Sequence, residues 1–143
     1  MRISRELLDD VLAHARAEAP NECCGMIASR NGEAVAVHRA RNVAEDPVKL
    51  YVMDSREQYR IQNEIEDAAL DLGAIYHSHP ASVPEPSPTD KRLAAIGDGD
   101  DRRLAYPGTL YIIVGLADPA EPDVRAWSIE LDEVSQVALE VVP

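Results

Sequence analysis

The chain has 143 residues, 45% of them hydrophobic, which predicts one domain over residues 1–143 with a single core. Its net charge of −12 disfavours nucleic acid and anionic membranes as partners. No apolar run approaches the roughly 20 residues of a membrane span, and acidic residues interrupt any N-terminal signal core. Cys23 and Cys24 are adjacent, a spacing that rarely allows a disulfide. A cytoplasmic location is therefore expected.

The first third of the sequence predicts a helix followed by a hairpin. Ser4 is a suitable N-cap for a helix with an apolar stripe, and Pro20 ends that region. The stripe consists of Leu7, Leu8, Val11, Leu12 and Ala15. Residues 23–29 and 33–39 then form two strand patterns on either side of Asn31-Gly32, a strong hairpin-turn signal.

The middle of the sequence predicts a strand, a helix and a second strand. Residues 48–53 have a strand pattern, and Ser55 with Gln58 resembles a capping box that opens a helix. Apolar residues at helical spacing follow, namely Ile61, Ile65, Ala68 and Leu72. Gly73 stands where a helix-ending glycine is expected, and a short apolar strand then leads into His77.

The last third is predicted to be mainly β-structure. A proline-rich loop over residues 80–86 precedes a short helix over 88–96, and the acidic residues 97–101 are expected in a surface loop. Strands over 110–116 and 124–131 are expected to pair, with a final strand over 134–142. This order of elements indicates an α/β fold with a mixed, strongly curved sheet packed between helices.

Two histidines mark the candidate site. His77 and His79 are two residues apart, so on a strand both side chains point to the same face. Asp90 lies at the start of the next helix and offers a carboxylate as a third ligand. Two imidazoles and one carboxylate suit a zinc ion that keeps a fourth position open for water, which is the composition of a hydrolytic site.

The same segment has a purely structural interpretation. Ser87 is a good N-cap, Pro88 suits the first helical position, and Asp90 would complete a capping-box-like arrangement. Capping and metal binding therefore compete for the Asp90 carboxylate, and the local pattern alone leaves both open.

Five positions together resemble the JAMM (MPN-plus) family of zinc metalloproteases. The matching residues are Glu22, His77, His79, Ser87 and Asp90, with the family's spacing between the last four. The stretch from Pro20 to Gly25 is similar to that of small prokaryotic members, and the stretch from Tyr51 to Gln58 also resembles that group. The resemblance implies a cytidine-deaminase-like fold and one zinc ion per chain.

The resemblance also implies a role for each matching residue. His77, His79 and Asp90 would bind the metal, Glu22 would act as general base, and Ser87 would donate a hydrogen bond to the oxyanion. Cys24 lies two residues after Glu22, so it would face the site, although a small buried core residue is the simpler interpretation. Tyr76 and Trp127 are expected to be core residues, and His14 is expected to be a structural or a surface residue.

The implied substrate is a ubiquitin-like sulfur-carrier protein with a Gly-Gly C-terminus, as for the small bacterial members. Hydrolysis after this terminus would release cysteine or another adduct in cysteine biosynthesis. Three alternatives remain: a general isopeptidase for ubiquitin-like proteins, a non-catalytic MPN binding scaffold, and a RadC-like DNA-repair-associated protein. The sequence predicts neither the carrier nor the oligomeric state.

Overall fold

The fold is built on one mixed eight-stranded sheet in the computed structural model, which describes all 143 residues. The helices are α1 (Arg5–Glu18), α2 (Ser55–Asp67) and α3 (Pro88–Leu93), with a 3₁₀ turn at Gly99–Asp101. The strands are β1 (Arg2–Ser4), β2 (Cys24–Arg30), β3 (Glu33–Ala40), β4 (Asp71–His79), β5 (Ala95–Ile96), β6 (Arg103–Leu104), β7 (Leu110–Gly115), β8 (Asp123–Ile129), β9 (Val134–Val137) and β10 (Glu140–Val142).

The main sheet has the strand order β10-β1-β3-β2-β4-β7-β8-β9, and β5 pairs with β6 separately. β1 runs parallel to both of its neighbours, and β4 runs parallel to β7; the other pairs are antiparallel. β2 carries register shifts toward both neighbours near Ala28. Such bulges bend a strand, which accounts for part of the curl of the sheet.

The sheet has a core on each face because its side chains alternate. On one face, α1 packs Leu8 and Val11 against Ile27 and Tyr76. On the other face, α2 packs Ile61 and Ile65 into a second cluster. Its sheet members include Met26, Ile75 and Tyr111. The predicted sheet between helices is therefore confirmed, and none of the helices is long and apolar enough to span a bilayer.

Several predicted elements are confirmed. The Ser4 side chain caps α1 by accepting a hydrogen bond from the backbone of Leu7. β2 and β3 form the expected hairpin, with positive φ at Asn31 and Gly32, as a two-residue type I′ turn requires. The two later strands pair antiparallel as β7 and β8.

Other boundaries differ from the predictions. Residues 48–53 form no strand; Met53 alone makes an isolated bridge, to Asn42. The N-cap of α2 is Asp54 rather than Ser55, and its carboxylate accepts two backbone hydrogen bonds. α2 ends at Asp67, and Gly73 lies inside β4. Gly73 therefore does not cap the helix.

The C-terminal predictions were also too coarse. The helix predicted over 88–96 ends at Leu93, and residues 95–96 form the strand β5 instead. The predicted tail strand is two strands, β9 and β10, which lie at opposite edges of the sheet. The chain can separate them because β10 pairs with β1, a strand that the sequence analysis did not predict.

A buried polar pair fastens α1 to the centre of the sheet. The hydroxyl of Tyr76 and Nδ1 of His14 are 2.7 Å apart, and both residues are buried. Burial lowers the pKa of His14, with Arg39 acting in the same direction, so the neutral imidazole accepts a hydrogen bond from the Tyr76 hydroxyl. His14 and Tyr76 are thus structural, as predicted.

Removing this hydroxyl should destabilise the fold. Tyr76→Phe leaves Nδ1 of His14 buried without a partner, which costs about 1–3 kcal/mol. We expect a lower free energy of unfolding in urea denaturation. Tyr59→Phe is the matched control, since Tyr59 is 70% exposed, and should change nothing measurable. Equal stability of the two variants would contradict this interpretation.

Candidate metal centre

The pairing of β2 with β4 brings three candidate residues together. β4 ends at His79, and its side-chain alternation turns His77 and His79 to the face that α2 covers, with Ile75. β2 runs antiparallel to β4 with Cys24 opposite His77. Glu22 precedes Cys24 by two residues, so the chain enters β2 beside the end of β4.

Asp90 reaches the same place from the start of α3. Ser87 is the N-cap of this helix, and its Oγ accepts a hydrogen bond of 3.0 Å from the Asp90 backbone. Oδ2 of Asp90 in turn accepts one of 2.8 Å from the Ser87 backbone. The predicted capping box is therefore confirmed. The capping bond does not turn the Asp90 carboxylate away from the histidines.

The donor atoms of three side chains form a nearly equilateral triangle. Nε2 of His77 and Nε2 of His79 are 3.2 Å apart, and each lies 3.2 Å from Oδ2 of Asp90. All three residues are buried, as is Glu22. A carboxylate oxygen of Glu22 lies within 4.8 Å of both imidazoles, so two carboxylates border the same histidine pair.

This donor set fits a small divalent cation. Nitrogen and oxygen ligands at about 2.0–2.1 Å from a tetrahedral zinc ion are about 3.3 Å from one another. The 3.2 Å edges of the triangle are close to that spacing. Two polar atoms beside the triangle, Oε1 of Glu22 and Nδ1 of His77, are buried without a hydrogen-bond partner.

The charges at the centre depend on one another. Burial alone would raise the pKa of Asp90, but hydrogen bonds from His77 and His79 hold it well below its usual range. Burial opposes the charged form of His79, yet Asp90 and the Val83 carbonyl raise its pKa. Burial raises the pKa of Glu22 to about 7; Asp90 adds to this rise and His79 opposes it. Glu22 can therefore exchange a proton near neutral pH.

The loop between the histidines and α3 fixes the ring of His79. Nδ1 of His79 lies 2.8 Å from the Val83 carbonyl oxygen, which can only accept, so Nδ1 carries a proton and Nε2 is the ring atom that faces the centre. The next residue, Pro84, contacts two strands of the sheet, β7 and β8. Its carbonyl accepts a hydrogen bond of 2.9 Å from the Trp127 indole, and Gly115 leaves room for its ring.

Sequence reasoning missed several residues around the centre. Trp127 was expected to be plain core, but its indole N–H is a hydrogen-bond donor to the loop. The ring of Tyr51 stacks on His77 with centroids 4.7 Å apart. No pattern in the sequence marks either contact. Cys24 is fully buried in the α2-side core, in agreement with the simpler of its two interpretations.

Comparison with known proteins decides the family. The family described as "Prokaryotic homologs of the JAB domain" matches residues 4–130. The chain belongs to this JAB family. The family resemblance predicted from the five-position motif is therefore confirmed.

Curated relatives cover almost the whole chain. The CysO-cysteine peptidase of Mycobacterium tuberculosis is 32% identical over 141 residues, 98% of this chain and 90% of that protein. The desampylase of Haloferax volcanii is 34% identical over 149 residues, 99% of this chain and 96% of that protein. The solution structure of a Desulfitobacterium hafniense protein matches this JAB domain with a TM-score of 0.81 at 30% identity, covering 99% of this chain and 92% of that one.

The close approach of Gly115 to the loop gives a test of the His79 contact. In Gly115→Ala the new methyl would lie 2.7 Å from Cδ of Pro84 and 3.1 Å from the Ser82 carbonyl oxygen, so the loop must move. We expect affinity for a divalent metal ion to fall about 10–100-fold, the usual cost of losing an outer hydrogen bond to a ligand. Competition with a chelating dye measures this.

Gly32→Ala is the control for this substitution. Gly32 has open space around it and lies in the β2–β3 turn, but its φ of +77° makes alanine unfavourable there. This variant should lose some stability and keep its metal affinity. Unchanged affinity in Gly115→Ala would show that the loop does not orient His79.

Proposed function

We propose that this protein is a zinc-dependent peptidase that hydrolyses the bond after the C-terminal Gly-Gly of a ubiquitin-like sulfur-carrier protein. The observation that carries the proposal is the triangle of donor atoms with 3.2 Å edges beside a buried carboxylate of raised pKa. A binding scaffold has no need of such a set, since each buried charge is costly without a partner.

His77, His79 and Asp90 are the proposed zinc ligands, with one ion per chain. Glu22 is the other carboxylate near the histidine pair, but Asp90 is closer to both imidazoles and its pKa is strongly lowered. A bound zinc ion would activate a water molecule and polarise the scissile carbonyl.

Glu22 is the proposed general base. Its carboxylate accepts a proton from the attacking water and passes it to the leaving amine, so hydrolysis leaves a free carboxylate and a free amine. Its unpartnered Oε1 and its pKa of about 7 both suit a group that gains and loses a proton in each cycle.

Ser87 is proposed to stabilise the oxyanion. Its Oγ accepts the Asp90 backbone N–H as the helix cap, and this use leaves the hydroxyl proton free for donation. A hydrogen bond to the carbonyl oxygen of the substrate would strengthen as negative charge develops there.

The substrate class follows from the relatives. One is named for a carrier–cysteine adduct and another for removing a small protein modifier. Both alignments cover nearly all of this chain and at least 90% of each relative. Both cysteines of the chain are free, which supports a cytoplasmic location. A role in cysteine biosynthesis is supported by the relative that is named a CysO-cysteine peptidase.

A broader isopeptidase is the second candidate. The Haloferax volcanii desampylase supports it, because its 34% identity is no lower than that of the CysO-cysteine peptidase. Such an enzyme would cleave ubiquitin-like modifiers from lysine side chains as well as from cysteine.

A pair of variants separates the proposed base from the ligands. Glu22→Gln should retain one zinc ion per chain, yet lose about 10²–10⁴-fold in kcat, because an amide cannot accept the proton. His77→Ala should lose both zinc and activity. Elemental analysis and kinetics measure the two properties, and the exposed Glu121→Gln is the control. Full activity in Glu22→Gln, or full zinc occupancy in His77→Ala, would contradict the assignment.

A direct comparison of substrates tests the proposed reaction. We expect rapid loss of cysteine from a carrier–cysteine adduct and much slower cleavage of a ubiquitin dimer, because the remote carrier surface supplies the binding energy that positions its flexible tail. Intact mass spectrometry follows both reactions, with Glu22→Gln as the inactive control. Cleavage of the dimer without loss of cysteine from the adduct would favour the general isopeptidase.

A further inference from the structure

Asn42 lies at the centre of a hydrogen-bond cluster next to the candidate metal centre. It follows β3 and begins a loop over residues 43–52 that returns to the same place at Val52. Its half-buried amide makes five hydrogen bonds, all to backbone groups. Nδ2 donates to the carbonyls of Glu22 (3.0 Å), Leu50 (3.0 Å) and Pro47 (3.3 Å), and Oδ1 accepts from the backbone N–H groups of Ala44 (3.0 Å) and Val52 (3.1 Å).

These contacts use the whole amide group. Its two N–H donors face three carbonyl oxygens, and its two acceptor lone pairs face two N–H groups. The surroundings therefore fix which end of the amide is oxygen. Aspartate at this position could keep the acceptor contacts but would direct negative charge at three carbonyl oxygens. Alanine would leave all five backbone groups without this partner.

The cluster holds the backbone of the proposed base from both sides. Glu22 precedes β2, so the sheet ladder does not fix it. Its N–H donates instead to the Pro47 carbonyl at 2.8 Å, while its own carbonyl accepts from Asn42 at 3.0 Å. Asn42 also contacts the Pro47 carbonyl, so both anchors of Glu22 depend on one side chain.

The far end of the loop reaches a proposed ligand. Asn42 binds the backbone of Leu50 and Val52, the two neighbours of Tyr51. Tyr51 stacks on the imidazole of His77, with an angle of 30° between the rings. One amide therefore fixes the segment that carries the base and the segment that packs against the histidine.

We propose that Asn42 is a positioning residue of the hydrolytic centre, which holds Glu22 at its working distance from His77 and His79. This role rests on the proposed function of Glu22 as base. Asn42 does not reach the donor triangle itself, so its effect on catalysis acts through the placement of Glu22.

Two variants and one control test this proposal in the zinc-loaded protein. Asn42→Ala removes all five hydrogen bonds, whereas Asn42→Asp keeps the acceptor contacts to Ala44 and Val52 and removes the donor contacts to the carbonyls. Asn63→Ala is the control, because Asn63 is half-buried on α2 and its side chain makes no hydrogen bond. NMR hydrogen exchange reports on individual amides, elemental analysis on bound zinc, and kinetics on a carrier–cysteine adduct give kcat and KM.

We expect exchange of the Glu22 amide to accelerate at least about tenfold in both variants, with zinc retained at one ion per chain. Small misplacements of a catalytic group cost up to about 100-fold in rate, so kcat should fall about 10–100-fold while KM stays within about twofold. In Asn42→Asp the Val52 amide should stay protected although kcat falls, which separates the placement of Glu22 from simple closure of the loop.

Three outcomes would overturn the proposal. A Glu22 amide that stays protected in both variants shows that Asn42 does not hold this segment. An unchanged kcat per zinc-loaded molecule shows that the side chain is merely structural, and loss of zinc in step with activity shows that it acts on the ligands.

A wild-type protein that cleaves no ubiquitin-like substrate would refute the proposed function instead. The exchange of the Glu22 amide would still decide whether Asn42 holds the Glu22 backbone. If Asn42→Ala does not fold, Asn42→Asp gives the same decision.

Discussion

The antiparallel pairing of β2 with β4 is the constraint on which the candidate centre depends. Cys24 lies opposite His77, so the start of β2 and the end of β4 lie side by side. A shift by one residue would turn both histidines to the α1 face. Two features oppose such a shift: the hydroxyl of Ser78 accepts the Cys23 backbone N–H at 2.8 Å, and Gly25 makes room for the Tyr76 ring. The same residues that pack the α1-side core thus hold the histidines on the opposite face.

The fixed part of the motif follows from two local rules, which is why the sequence reveals it. The spacing of His77 and His79 is the two-residue period of a strand. The spacing of Ser87 and Asp90 is that of an N-cap and the third helical residue. Neither rule needs tertiary information, and both are confirmed by the structure. Glu22 lies 55 positions before His77 in the sequence. Its place depends on strand pairing, so only the family resemblance connected it with the histidines before the structure did.

The errors of sequence interpretation occurred where side chains bind to distant backbone. Residues 48–53 have a strand pattern, but the Leu50 carbonyl and the Val52 N–H form hydrogen bonds with the Asn42 side chain rather than with a neighbouring strand. Gly73 has the look of a helix end, yet the left-handed residue after α2 is Ala69, with φ of 56°. Gly73 instead packs against Ser29 across the sheet. The split of the tail into β9 and β10 depends on β1, whose three residues are too few to give a periodic signal.

The capping box and the proposed metal-binding role of Asp90 are compatible rather than in competition. A carboxylate oxygen has two lone pairs, so Oδ2 can accept the Ser87 N–H and still face both imidazoles. The cap restricts the Asp90 side chain to one rotamer as soon as α3 forms. The Val83 carbonyl does the same for the ring of His79, and the stacked Tyr51 for that of His77. These three side chains are already ordered in the fold, so little side-chain entropy would remain to be lost if they bind the proposed zinc ion. Glu22 differs from them, since no hydrogen bond restrains its Oε1 and only its backbone is anchored. The proposed general base would have to turn between an attacking water and a leaving amine, and a fixed backbone with a free carboxylate suits that role.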